Sequence, residues 1–468
     1  MVKKLSTIAL AGVLCWPGSA AADTDRIAEL ERQMAEINQA LQAQQGAATA
    51  AWLQNMTMGG EVIFRGYTLR NTWSFDDNVK DDDRDAFRLK GSLWSNYQAT
   101  DDVNVRIQLT NQSWGEGAGV GDNKDNKVFL DNAYINVNNL LGLPLEATLG
   151  RQNVIYGSGF VILDGQSQYG STSIYFDGVK LRWRIAEQLT LDGLYLKDRE
   201  NRPGHATKDD ITLSGLYFIN QECPLTGMRQ EFYLLNREDE DLGKDIWMYG
   251  ARFSDRLAMG IDYSLEGAIQ KGDAGWDKDT NRSIDQDAYG LKLDAGYTLQ
   301  GVAMKPRFYT NYSYLSGNKA GTDKNEQWDV FYGGWPQWGD LLAWRYLNLK
   351  DDTSSTNKNN LKDVYTSFDD YGDVVGEAIY SNLQIITLGM SANLTQKLTG
   401  NISYSDLRFN QTNPGVSKDF GDYYQATVKY QYNRNLSFSV YGALLDPGAA
   451  FATSDNATEL YWEAAYRF

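Results

Sequence analysis

Along most of this chain apolar and polar residues alternate one by one, in segments of about ten residues. That is the period of a β-strand and the length a tilted strand needs to cross a bilayer. Phe87-Arg88-Leu89-Lys90-Gly91-Ser92-Leu93-Trp94 is one such segment and Val103-Asn104-Val105-Arg106-Ile107-Gln108-Leu109-Thr110 is the next, with Ala99-Thr100-Asp101-Asp102 between them. Val179 to Ile185, Trp247 to Phe253, Tyr289 to Leu299 and Tyr424 to Tyr432 repeat the pattern. The chain ends in Thr458–Phe468, where Leu460, Trp462, Ala464, Tyr466 and Phe468 fall on one side and Tyr461, Glu463, Ala465 and Arg467 on the other. Each strand therefore offers one face to lipid and one to water.

The connections sort into two kinds that take turns. Short ones fall at 99–102, 140–143, 185–188, 221–227, 254–257, 300–303, 395–397 and 433–435. Long ones fall at 76–84, 113–126, 152–171, 198–209, 237–245, 271–286, 316–376, 410–419 and 446–456. Short turns on one side and long loops on the other predict an even number of strands, about eighteen, closed into an antiparallel transmembrane β-barrel over 56–468. A soluble sandwich or propeller has no reason to alternate loop lengths in this way. The terminal strand resembles the last strand of bacterial outer-membrane barrels, which closes the barrel and carries the signal read by the barrel-assembly machinery; Trp462, Tyr466 and Phe468 would be that signal.

The amino end differs. Residues 1–22 join Lys3 and Lys4 to a short apolar run and end in Ala20-Ala21-Ala22, the form of a cleaved export signal. Leu14 before Cys15 argues against a lipoprotein. Residues 23–45 carry Ile27, Leu30, Met34, Ile37 and Leu41 at alternating steps of three and four, a narrow helical seam. It predicts a short periplasmic helix, either in a coiled coil, which would make the protein a homotrimer, or lying singly on the barrel rim or membrane surface. Residues 46–55, rich in Ala and Gly before Ala51, read as a linker.

Composition sharpens the picture. The 468 residues are 42% hydrophobic, with 29 Tyr, 13 Trp and 44 Gly against 8 Pro, a chain at once aromatic-rich and polar. No run of about 18 apolar residues follows the signal, so no helical span is expected. Loss of Lys3 and Lys4 takes the formal charge from -17 to -19. Cys223 is the one cysteine after the signal, which excludes an internal disulfide and a cysteine metal cluster, and no C-x-x-C-H is present to hold haem. No cofactor, metal or nucleic-acid partner is expected.

The charge is unevenly placed. Asp76, Asp77 and Asp81 to Asp83, then Arg237-Glu238-Asp239-Glu240-Asp241, then 273–287 make the long loops acidic, a surface suited to cation-bridged contact with lipopolysaccharide at the outer-membrane lipid boundary. If the apolar set of each strand faces lipid, the opposite set contains Arg88, Lys90, Arg106, Lys180, Arg182, Arg184, Arg252, Lys292, Arg307, Lys429 and Arg467, against Asp294 and Glu463 as the acids placed with equal clarity. Basic side chains around a water-filled pore concentrate and select anions. Alternatively these cations pair with carboxylates of loops folded into the lumen.

Leu149-Gly150-Arg151-Gln152, then Tyr156-Gly157-Ser158-Gly159, then Phe176-Asp177-Gly178-Val179-Lys180-Leu181-Arg182-Trp183 resemble, in this order, the bacterial alginate-export family. The resemblance implies an eighteen-stranded barrel with a basic lumen narrowed by loops that passes an anionic uronate polymer, and it makes Arg151 a pore-facing or strand-joining residue. Simple alternation puts Arg151 on the face of Ala147 and Leu149, so a bulge near Gly150 or an end to the membrane portion is expected there. Trp328 to Pro336 occupies the place of an aromatic-Pro-His stretch of the family but has no His; His205 is the sole histidine.

Loop 152–171 is apolar at Phe160-Val161-Ile162-Leu163 and jointed by glycine, so it is expected to fold inward as a constriction bearing Tyr156, Phe160, Ile162 and Asp164. The loop 316–376, with Trp328 and Trp338, is the second candidate plug. His205 has no oriented nucleophile beside it, and G-x-S-x-G is absent, so catalysis is not expected. The leading expectation is an outer-membrane channel for anionic solutes in a Gram-negative bacterium, with an acidic oligo- or polysaccharide as cargo. The alternatives are a barrel scaffold around an electron-transfer cytochrome, or a general trimeric porin.

Overall fold

The computed structural model describes residues 32–34, 36, 51–72, 74–80, 82–115, 128–163, 175–199, 210–240, 242–277, 282–319, 322–333, 338–342 and 381–468. Eighteen strands follow one another: β1 (Met56–Arg70), β2 (Arg84–Gln98), β3 (Val103–Gly115), β4 (Phe129–Val137), β5 (Leu145–Gln152), β6 (Phe176–Ala186), β7 (Leu189–Arg199), β8 (Ile211–Asn220) and β9 (Arg229–Asp239) form the first half. The second half is β10 (Lys244–Arg256), β11 (Ile261–Asp277), β12 (Arg282–Thr298), β13 (Arg307–Leu315), β14 (Leu383–Asn393), β15 (Leu398–Phe409), β16 (Asp419–Gln431), β17 (Leu436–Pro447) and β18 (Ala457–Arg467). Each strand pairs antiparallel with its sequence neighbours and β18 returns to β1, so the sheet is a closed barrel without edges.

Alternation sets the two faces. On β6, Leu181 and Trp183 point outward, and on β3 so do Ile107 and Leu109, each exposing a large apolar surface as a lipid-facing side chain does. The predicted short turns all separate consecutive strands. Two of the predicted long loops are mostly strand: β9 and β10 meet across 240–243, and β11 and β12 run 17 residues each, so their hairpin projects beyond the bilayer. Acidic residues there sit on paired strands, because cross-strand hydrogen bonds continue after the hydrophobic pattern has stopped.

Closure depends on shape at the β1–β18 seam. Gly60 and Phe468 exchange backbone hydrogen bonds of 2.9 and 3.0 Å, so the last residue is paired. Trp462 lies opposite Gly66, and its indole occupies the place a side chain there would take: a Cβ on Gly66 would come within 2.7 Å of the ring. Phe64 and Phe87 complete an aromatic cluster with Trp462 at centroid separations of 5.3–6.2 Å, contacts that contribute ~1 kcal/mol each beyond area burial. Gly66→Val is expected to cost ~1–3 kcal/mol by overpacking. A lower temperature for conversion of the folded to the unfolded band on a semi-native gel checks this, and an unchanged temperature would mean that Trp462 swings aside freely.

The signal at 1–22 and most of the helix predicted over 23–45 lie outside the described residues; Arg32, Gln33, Met34 and Glu36 are helical, with Arg32 and Glu36 paired at 3.7 Å. Ala51–Gln54, inside the predicted linker, is a short helical turn.

Candidate functional site in the lumen

The protein's buried core is inside the barrel. At the long-loop end the inner wall is apolar, with Phe176, Leu196, Leu213, Leu235, Met248, Leu315, Leu383 and Phe409 almost fully buried. Two inward-folded loops cover it. The first, residues 153–163, buries Val154, Tyr156, Phe160, Val161 and Ile162. The second, within 316–333, lays Trp328 on Phe160 at 5.4 Å and Tyr332 edge-on to Phe176 at 4.8 Å. The loops are hydrogen-bonded to each other, Leu163 N to Tyr332 O at 2.8 Å and Tyr332 N to Val161 O at 3.0 Å, forming a parallel bridge between Ile162 and Tyr332. They make one plug.

The tip of the first loop reaches the wall formed by β9, β10 and β11. Gly157, at φ 56°, is in the left-handed region, and a Cβ there would stand 3.0 Å from the Arg252 side chain and 3.3 Å from the carboxylates of Glu231 and Glu266. Only glycine brings the backbone that close without strain. Ser158 then donates to Glu266 at 3.1 Å. Tyr156 stacks on Tyr217 at 3.9 Å, Tyr217 stacks on Tyr233 at 5.3 Å, and their hydroxyls donate to Asp192, Glu231 and Glu266 respectively. The second loop is held by Arg237, which pairs with Asp329 at 3.0 Å, and by Gln270, which accepts from Asp329 N at 2.9 Å. A further inward segment, 338–342, buries Leu341 and Leu342 and is held by Trp338 Nε1 to Ser313 at 3.0 Å and by Arg65 to Asp340 at 3.3 Å. Tyr156, Phe160 and Ile162 thus stand in the lumen; Asp164 lies outside the described residues.

Of the predicted pore-lining cations, Arg88, Lys90, Arg106, Lys180, Arg182, Arg184, Arg252, Lys292, Arg307, Lys429 and Arg467 occupy inward positions in the strand alternation. Arg151 does not. It is outward, opposite Asp177 in unbroken register, bonded to it at 2.6 and 2.7 Å and lying over the Tyr175 ring at 3.8 Å. The expected bulge near Gly150 is absent from the β5–β6 pairing: Gly150 takes φ 120° instead, and the register continues. Arg151 joins strands. Arg151→Ala is expected to leave the reversal potential in a salt gradient unchanged, and any clear shift would return it to the pore.

Most inward cations meet carboxylates. Lys90 pairs with Glu61 at 2.8 Å, Arg184 with Glu146 at 2.5 Å, Arg252 with Glu231 at 2.9 Å, Arg307 with Asp262 at 2.9 Å and Arg467 with Glu61 at 3.2 Å. Arg182 forks onto Asp192 at 2.6 and 2.7 Å, and Lys292 stands directly opposite Glu266. Arg88, 5% exposed, lies over the Tyr67 ring at 5.7 Å. Arg106, Lys180 and Lys429 form no ion pair among the described residues. Arg106 is held by neutral amides, Asn132 at 3.3 Å, Asn96 at 3.2 Å and Gln108 at 2.7 Å, and lies over Trp94 at 5.0 Å. Such a cradle fixes the guanidinium without cancelling its charge. Lys180 and Arg106 share the β3–β6 wall, on neighbouring cross-strand rows, roughly 15 Å apart by strand spacing.

Sequence reasoning missed Glu61, Asp131, Glu146, Asp192, Glu231, Asp262 and Glu266 on the inner face, and with them Arg65, Arg229 and Arg237. Arg65 on β1, Asp192 on β7, and Glu231 and Arg237 on β9 share their inner faces with buried apolar residues, because the plug packs there.

A family model described as alginate export matches residues 64–464, from β1 to β18. No curated relative matches the sequence. Among solved structures the fold is similar to that of Pseudomonas aeruginosa OccK5 (OpdH), with TM-score 0.54 and 10% identity over 89% of this chain and 99% of that one. It is also similar to the outer membrane protein OprD of Pseudomonas aeruginosa, with TM-score 0.52 and 14% identity over 88% and 93%. Pseudomonas aeruginosa OccK2 (OpdF) in complex with glucuronate is similar too, with TM-score 0.51 and 12% identity over 89% and 98%. At these identities the likeness is one of fold.

Proposed function

Because the chain belongs to the alginate export family and is an outer-membrane channel of a Gram-negative bacterium, we propose that it passes anionic, carboxylated solutes of saccharide size through a plug-narrowed lumen. The observation that carries this reading is the pair of cations on one wall, Arg106 and Lys180, that form no ion pair among the described residues, in a lumen whose other cations mostly meet carboxylates. A paired guanidinium presents little net field to a passing ion, whereas an unpaired one raises the local concentration of anions. The amides around Arg106 add donors and acceptors of the kind that bind sugar hydroxyls. The glucuronate complex of OccK2 gives a carboxylated monosaccharide as a ligand of a barrel of this architecture. A lumen occupied by its own loops leaves less room for an enclosed protein partner, which favours the solute channel over the scaffold.

Proteoliposomes loaded with glucuronate or with glucosamine, of similar size and opposite charge, test the proposal. Glucuronate is expected to leave about tenfold faster, the ratio that ~1.4 kcal/mol of differential electrostatic interaction gives. Equal rates, or faster glucosamine, would overturn it.

A further inference from the structure

One carboxylate is shared between the solute-facing wall and the plug. Asp192, fully buried on β7, accepts a fork from Arg182 at 2.6 and 2.7 Å and, on the same Oδ2, a hydrogen bond from the Tyr156 hydroxyl at 2.6 Å. The two donors belong to different structures. Arg182 is on β6, two residues from unpaired Lys180, and its side chain is 31% exposed, whereas that of Asp192 is 0% exposed. Tyr156 is in the plug loop and packs face to face on Tyr217.

We infer that Arg182, Asp192 and Tyr156 form a latch through which an anionic solute in the lumen loosens the plug. This deepens the reading that anions pass the Lys180–Arg182 face and rests on it. An anion drawn to Lys180 reaches the exposed part of Arg182 and competes with Asp192 for the guanidinium. With the loop seated, Asp192 is shut away from water, and losing its countercharge there is strongly unfavourable. With the loop lifted, water reaches Asp192 and the same exchange costs little. An anion that takes Arg182 therefore binds the loop-lifted state more tightly, and by linkage it shifts the population towards that state. Lys180 and Arg182 supply the attraction, the burial of Asp192 under the seated loop transmits it, and the Tyr156 hydrogen bond sets how firmly that loop is seated. The solute thereby favours its own passage, with no outside energy source.

Single-channel recording with sodium glucuronate added to a constant KCl background tests the latch. In the wild type the opening frequency is expected to rise about tenfold with glucuronate, reaching a plateau. In Asp192→Asn no buried charge is left to be orphaned, so opening is expected not to respond to glucuronate. A wild type whose opening ignores glucuronate, or an Asp192→Asn channel that still responds, would overturn the latch. Should Asp192→Asn not fold, Tyr156→Phe reads the same contact. It removes one charge-assisted hydrogen bond from the seated state alone, so basal opening is expected to rise about tenfold with the glucuronate response retained; unchanged basal opening would overturn the latch. Failure of the anion-channel reading shows separately, in the reversal potential, which the latch does not set.

Discussion

Reversing two cations that form no ion pair among the described residues, Arg106→Glu with Lys180→Glu, is expected to lower the anion-to-cation permeability ratio at least tenfold and to turn the channel cation-preferring. Through water at about 7 Å a unit charge changes the energy of a passing monovalent ion by ~0.6 kcal/mol. The double substitution changes four unit charges, ~2 kcal/mol before salt screening, and it acts with opposite sign on the two ions. The same reversal at a paired position should do far less. Arg184→Glu leaves Glu146 unpaired and repelled, but both lie 17–47% exposed at the short-turn end, where water screens them. Reversal potentials of the double variant and of Arg184→Glu, side by side, separate selecting charge from structural charge. A double variant that stays anion-preferring would place the selecting charge elsewhere.

The second large effect concerns the plug. Replacing Val154–Ile162 by a Gly/Ser segment of equal length is expected to raise single-channel conductance roughly threefold, by widening the narrowest cross-section. Phe160, Val161 and Ile162 are 1, 3 and 0% exposed, so the native loop is held by ~1.5–3 kcal/mol of apolar burial per side chain as well as by the contacts of Tyr156 and Ser158. A Gly/Ser chain forfeits all of these and pays more conformational entropy to stay ordered. The second loop loses its partner as well, since Trp328 stacks on Phe160 and Tyr332 pairs with Val161 and Leu163. Unchanged conductance would mean that current passes the barrel by a route the loop does not obstruct.

The barrel was legible because a membrane strand must satisfy two solvents at once, and its sequence records both. Val105, Ile107 and Leu109 beside Arg106, and Val179, Leu181 and Trp183 beside Lys180, place those two cations in the lumen by alternation alone. Asp192 could not be placed in that way. It lies in L-T-L-D-G-L-Y-L, where Leu194 and Leu196 share its face, because the plug gives the inner wall an apolar neighbour of its own. Arg65 is similar, sharing its face with Ile63, Tyr67 and Leu69, and its partner Glu463 is 398 residues away along the chain. Ion pairs made across a closing seam or beneath a folded-in loop leave no local mark. Arg151 shows the converse. Alternation placed it outward with Leu149, and the register to Asp177 agrees with alternation and with the strand-joining one of the two roles that the family motif implied, not with the pore-facing one.

The loops were legible in part. Loop 152–171, apolar and glycine-jointed, was expected inside, and its described part is inside; the docking of Gly157 on Arg252, Glu231 and Glu266 was not legible, because nothing in the loop's own pattern says which strands its tip meets. The acidic stretches at 237–245 and 271–286 read as loops because charge interrupts the hydrophobic pattern. They fold as strands because backbone pairing needs no apolar face once the strand has left the membrane.

The most direct test of the central claim is the reversal potential of the wild-type protein in a planar bilayer across a KCl gradient. With Arg106 and Lys180 on the lumen wall outside any ion pair among the described residues, it should lie towards the chloride equilibrium potential. A value at zero, or displaced towards the potassium equilibrium potential, would contradict an anion-selecting lumen.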